Sequence, residues 1–453
     1  MKKINFIFVL LAISSISFGQ GNYEKTDPYG EYQENWALVE KKGLLGFIDL
    51  DGKEIIKPQY EKIGQFGEFQ DKWALVEKNG FQGFIDLDGK EIIKPQYKNI
   101  ALFGDFQDKW ALIEKNSLKG FIDLEGKEIV SPQYEKIAPF GDFQDKWALV
   151  EKKNLQGFID LEGKEIIKPQ YNKIGGFGDF QEKWALVEKN GFQGFIDLLG
   201  MEIVSPQYDT ITGFGDFQEK WALVKKNNLQ GFIDLEGKEI VAPQYNKIAE
   251  FGDFQEKWSL IEMGGCLGFL NLDGYEIVKP FYDKISQFGD YQENWALVEL
   301  NGNLGFINNQ GQQIVQPQFN KISQFGDYLE NWALVERNGI LGFLNIQGEV
   351  IVTPKYTKIG AFGDLQEKLV LVEVEGLLGF LNDQGKEIVK PKYSNIGPFG
   401  DYHDNWALVE FNELLGFIDL EGNEVVKPKY EKILSNENLE GIVNGKSEII
   451  ITN

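Results

Sequence analysis

The chain has one cysteine and one histidine in 453 residues, and these two shortages exclude more chemistry than any other feature. Cys266 has no second cysteine to pair with, so stability has to come from packing and not from disulfides within the chain. With His403 as the single imidazole, neither a nucleophile–histidine pair nor a histidine metal site can be assembled. After the first few residues there is no apolar run approaching the ~20 that a membrane-spanning helix needs. No window carries a sustained 3.6-residue apolar period, so helix is expected almost nowhere. Positive charge is also short, with 46 Lys and Arg against 70 Asp and Glu and a net charge of −24. Such a chain repels nucleic acid and anionic lipid.

The first nineteen residues have the order of a secretory signal peptide: Lys2 and Lys3, an apolar run from Ile4 to Ile13, then small residues to Gly19. Ser17 and Gly19 suit the −3 and −1 sites and place cleavage before Gln20. Removal takes away two lysines and no acid, so the net charge goes from −24 to −26. The expected product is soluble, monomeric and exported, either periplasmic or secreted, with no membrane insertion.

What remains is strictly periodic. Trp36, Trp73, Trp110, Trp147, Trp184, Trp221, Trp258, Trp295, Trp332 and Trp406 are all the tryptophans, and they share one 37-residue grid whose single gap is Leu369. Gly46–Phe47 recurs on that grid through Gly416–Phe417, and Pro58 recurs through Pro428, both without a miss. Eleven copies of one unit therefore fill residues 29–435, after a lead-in at 20–28. Residues 436–453 read as a hairpin that caps the array.

One unit predicts its own strands. Trp73 to Glu77 is a β-leaning run, Asn79–Gly80 a turn, and Gln82 to Leu87 a second strand in which Gly83 marks a bulge or a close backbone approach. Asp88–Gly89 is a hairpin signal. Lys90 to Lys94 is a third strand that stops at Pro95. Tyr97 to Lys109 is a loop or short fourth strand leading to the next Trp. The expected fold is all-β: three to four short antiparallel strands per repeat, stacked as an open, curved, solenoid-like or propeller-like array.

The segments Ala74-Leu75-Val76, Gly83-Phe84-Ile85-Asp86, Gly89-Lys90-Glu91-Ile92-Ile93 and Pro95-Gln96-Tyr97 resemble the WG-repeat family, a bacterial β-rich repeat. The Trp-Gly dipeptide is missing, because Leu45, Gln82 or Lys119 precedes the Gly. The resemblance implies a repeat module with an interaction role and no common catalytic activity.

Several constellations compete for a function. Paired carboxylates for glycoside hydrolysis would have to be unique to one place, and these acids recur with the unit; no enzyme activity and no cofactor are expected. Asp49-Leu50-Asp51-Gly52 opens like a calcium loop, but the next residues are Lys-Glu-Ile-Ile and not spaced oxygen ligands, so a hairpin turn is expected. The recurring glutamates Glu40, Glu77 and Glu114 have Lys41, Lys78 and Lys115 beside them, which reads as a self-neutralising solvated face. The Trp row is expected in the core, with Val370 enlarged to offset the volume lost at Leu369. One aromatic row lies in the polar loop, where a hydroxyl is tolerated: Phe106, Phe143, Phe180, Phe217, Tyr291, Tyr328 and Tyr402 are the candidate ligand-facing residues. Two functions follow, a protein-interaction scaffold at or outside the envelope and a carbohydrate-binding module that uses this row.

Overall fold

A computed structural model describes residues 23–435 and 448–451. These residues hold strands and turns and no helix, in eleven four-stranded antiparallel sheets and one two-stranded sheet. The chain divides into two compact units, Met1–Ile211 and Thr212–Asn453. One sheet of the first unit is built from Asn99–Ile100, Trp110–Lys115, Leu118–Asp123 and Glu128–Tyr134, hydrogen-bonded in that order. A repeat counted from its Trp therefore supplies the second, third and fourth strands of one sheet and the first strand of the next. Only Lys98 separates the fourth strand ending at Tyr97 from the first strand beginning at Asn99. Lys25–Thr26, ahead of the Tyr29 register, is the first strand of the first sheet.

Two of the positions that never vary, the Gly at Gly83 and the Pro at Pro95, meet at one backbone crossing. Gly83 has no positive φ; what it supplies is space, since a Cβ there would lie 2.6 Å from the Pro95 nitrogen and 2.8 Å from the Lys94 carbonyl carbon. Gln82 pairs with Tyr97 and Phe84 with Ile93, so a two-residue step on the third strand spans four residues on the fourth. Pro95 sits in that bulge, on the strand at the end of the sheet order, where no ladder N–H is required. The opposite turn works by conformation. Asn79 and Gly80 both have positive φ, 53° and 71°, the type I′ geometry that matches strand twist.

Neighbouring sheets pack face to face. Trp73, Phe84, Ile93 and Tyr97 of one sheet share a cluster with Ile100, Ala111, Ile113 and Ile122 of the next. The second strand alternates, so Trp73 points forward while Ala74 points back into the cluster of Trp36. Alanine is the usual residue there because an indole occupies the space opposite. Phe103 closes the Trp73 cluster with a T-shaped contact at 6.1 Å. Burying a ring of ~150–250 Å² contributes roughly 4–6 kcal/mol as an upper bound. Ser259, at the Ala position, is buried, and its hydroxyl donates to the Ala249 carbonyl at 2.6 Å.

One expectation changes. Leu369 packs with Phe380, Tyr393 and Ala407, whereas Val370 packs with Trp332 and Phe343. Adjacent strand residues face opposite sides, so these two do not exchange volume. Leu365, by contrast, does share the Leu369 cluster. Of the hairpin expected over 436–453, residues 436–447 and 452–453 lie outside the described residues. Glu448–Ile451 runs parallel to Lys432–Ser435.

Leu369→Trp should leave stability within about 1 kcal/mol, because Ala407 still provides the small partner. Val370→Ala should cost about 1–2 kcal/mol on the Trp332 side. In a double-mutant cycle by denaturant unfolding, coupling between the two should stay below about 0.5 kcal/mol. A coupling above about 1 kcal/mol would show that they share one space.

Candidate functional site

The hairpin that resembles a calcium loop uses its first acid internally. Asp86 Oδ1 accepts the Asp88 and Lys90 N–H groups at 3.0 and 2.9 Å. Asn271, Asn308, Asn345 and Asn382 accept the matching N–H groups through the same oxygen, so the position needs an acceptor and not a charge. No group of three or more His, Cys, Asp or Glu placed to hold a metal ion occurs among the described residues. His403 stacks on Trp406 with centroids 4.6 Å apart, and Cys266 is half-buried.

The loop aromatics proposed as ligand-facing are all half-buried. Each lies edge-on against the buried Phe of the following third strand. Phe106 meets Phe121 at 5.7 Å, Phe143 meets Phe158 at 5.5 Å, Phe180 meets Phe195 at 5.5 Å, and Phe217 meets Phe232 at 5.7 Å. Tyr291, Tyr328 and Tyr402 make the same contact with Phe306, Phe343 and Phe417 at 5.4, 5.5 and 5.4 Å. The row is therefore a lip on the core, with part of every ring engaged in packing.

The acidic row has other partners than its sequence neighbours. Glu77 meets Lys62 across the strand pair at 3.0 Å. Lys78, on the opposite side, donates to Gln59 Oε1 of the preceding sheet at 2.8 Å and lies 5.9 Å from the Tyr60 ring centre. The Lys62–Glu77 pair is largely exposed and contributes about 0–1 kcal/mol.

A second row links the sheets and is not evident from single repeats. The hydroxyl of Tyr60 donates to Glu91 Oε1 in the next sheet at 2.9 Å, and Tyr97 donates to Glu128 at 2.6 Å. In the second unit Tyr245 donates to Glu276 at 2.7 Å and Tyr356 to Glu387 at 2.8 Å. Where Gln313 replaces the Glu, its amide donates to Tyr282 at 3.3 Å. Where Phe319 lacks the hydroxyl, the matching residue is Val350. Burial pushes the hydroxyls of Tyr60, Tyr97 and Tyr134 above the usual tyrosine value, and the neighbouring carboxylate adds to the shift.

The position that would hold the family Trp belongs to the same junction. Gln82 Oε1 accepts the Ile100 N–H of the next sheet at 2.7 Å, while Leu45, Leu304 and Leu378 pack on core clusters. A groove of about 670 Å³ lies elsewhere, lined in part by Trp147, Ile166, Leu198 and Leu199.

Tyr60→Phe should cost about 1.5–3 kcal/mol, the usual value of a hydrogen bond to a charged group. Adding Glu91→Val, which copies Phe319 with Val350, should recover part of that loss; strict additivity of the two changes would exclude the link. A hydroxyl that stays protonated longer in the folded chain lends stability that is complete below about pH 10 and is lost as pH climbs through the raised value. In an alkaline titration, a late tyrosinate phase should therefore coincide with loss of the sheet signal. A single phase near pH 10 with the sheets intact would show the hydroxyls open to water.

No curated protein matches the sequence. Among solved structures, an extracellular domain from B. thetaiotaomicron is similar at 9% identity over 88% of this chain and 69% of that one, with a TM-score of 0.24. PorZ, a surface component of the type-IX secretion system of Porphyromonas gingivalis, is similar at 11% identity over 91% and 69%, with a TM-score of 0.20. BamB from Moraxella catarrhalis is similar at 14% identity over 61% and 93%, with a TM-score of 0.17. Scores this low carry no argument about function. The WG containing repeat matches eleven stretches: 46–80, 83–118, 120–155, 157–191, 194–229, 231–265, 268–303, 305–339, 342–377, 379–414 and 416–443. With nearly the whole described chain accounted for in this way, the protein belongs to the WG containing repeat family.

Proposed function

We propose that the chain is a non-catalytic, exported scaffold that binds protein along its repeated surface. The observation that carries this reading is the division of labour within the repeat. The Gly of the backbone crossing, the buried Phe beside it and the bulge Pro never vary, and the turn glycines such as Gly52 and Gly67 are constant for their backbone conformation. The exposed hairpin tip does vary, through Asp51, Glu125, Leu199 and Gln310. A constant frame with changing tips suits recognition and gives no unique place for catalysis. Export rests on the order of charge, apolar run and small residues in 1–19. No described helix is long and apolar enough to cross a membrane.

The carbohydrate alternative needs ring faces open to a sugar. The half-buried, edge-packed loop row favours protein instead. The purified protein should capture a saturable protein partner from envelope extract, more weakly as salt rises, and bind nothing on a glycan panel. Glycan binding that is lost in Tyr291→Ala and Tyr328→Ala would replace the scaffold reading.

A further inference from the structure

Hairpin tips between third and fourth strands are charged where the first unit keeps its pattern. Asp51, Asp88, Glu125 and Glu162 occupy one tip position, and Lys53, Lys90, Lys127 and Lys164 lie two residues on. Within the first unit one tip breaks both positions at once. It carries Leu199 and Met201, which are 74% and 62% exposed. Gly200 between them has φ +76°, and a Cβ there would lie 2.5 Å from Ile167 Cγ1. The tip is thus pressed onto the fourth strand of the preceding sheet, and its two apolar side chains flank that contact.

The groove of about 670 Å³ opens beside this tip, with Trp147, Ile166, Leu198 and Leu199 among its walls. That volume is in the range of sites that enclose a ligand. Trp147 is half-buried, whereas Trp110 and Trp184 on the sheets before and after it are 7% and 8% exposed. An apolar tip and an indole that is packed on Phe158 and Phe177 but partly exposed therefore meet at one inter-sheet junction. Two large apolar side chains in water beside an open groove return no packing to this chain.

We propose that this groove docks a peptide segment of a protein partner, presenting an aromatic or long aliphatic side chain flanked by lysine or arginine. The proposal rests on the protein-binding reading above and gives it a place and a partner chemistry. The apolar anchor follows from the groove walls and from Leu199 and Met201. The basic flanks follow from charge. The rim itself balances, Asp145 and Glu165 against Lys146 and Lys164. Long-range attraction therefore comes from the whole chain, at −24, which draws a cationic segment and repels a second copy of itself.

The test is a display selection of short random peptides on the intact protein, with the Leu199→Glu/Met201→Lys double variant as counter-target. That variant carries the residues of the tip at Glu162 and Lys164, so it keeps a tip chemistry the fold already accommodates, and its net charge is unchanged. Enriched peptides should carry an apolar anchor beside Lys or Arg. They should bind the variant about tenfold or more weakly than the parent and lose affinity as salt rises. Peptides that bind both proteins equally overturn the site and leave the scaffold reading standing. Enrichment of acidic peptides overturns the partner chemistry. No enrichment on either protein overturns the site and counts against protein binding altogether. Self-association of the parent that the variant abolishes, or a glycan bound by the parent alone, assigns the groove to that occupant and overturns the proposal.

Discussion

A tryptophan side chain between two packed sheets usually faces a strand that offers little volume, with Val370 opposite Trp332 as the exception. The pairing of Trp36 with the small Ala74, and of Trp73 with Ala111, places an indole in each junction and sets what the rest of the repeat can be. The Phe beside the invariant Gly must be there to meet the indole, at 5.2 Å for Trp36 and Phe47. The Gly must be there to let the fourth strand cross close enough to cover that Phe. Sequence constancy is thus complete where one backbone passes another, and at the tips it is kept by the turn Gly while the residues on either side of it vary.

Much of this was legible in the sequence because it arises from short-range sterics. The period-two runs, the Asn-Gly and Asp-Gly turns and the close approach at Gly83 each concern residues a few positions apart. Contacts that cross a junction were harder to read. The Tyr60–Glu91 link spans 31 residues, and its Glu looks like any solvated acid until Phe319 and Val350 are set side by side. Leu369 and Val370 were misjudged because adjacency along a strand means opposite faces. The charge row was assigned the wrong lysines for the same reason, Lys78 being next to Glu77 in the chain and Lys62 next to it in space.

The candidate surface was legible only in part. Polar composition in the Phe-Gly-Asp-Phe loop implied exposed rings, yet the loop folds back so that Phe106 rests on Phe121. The Leu199 and Met201 tip was visible as a departure from pattern, but nothing in one dimension placed Trp147 next to it. That neighbourhood exists because the Gly200 tip lies over the preceding sheet, a relation set by stacking and not by spacing.

The offset between sequence repeat and sheet has a genetic consequence. Each four-stranded sheet after the first takes its first strand from the residues just after the preceding sheet's fourth strand, so no seam in the chain separates one sheet from the next. A duplication or loss of one repeat's worth of codons within the array therefore restores the same frame, wherever in the unit it begins. The array can lengthen or shorten by recombination between its near-identical copies, and a tip such as Leu199 can change without disturbing the frame that carries it.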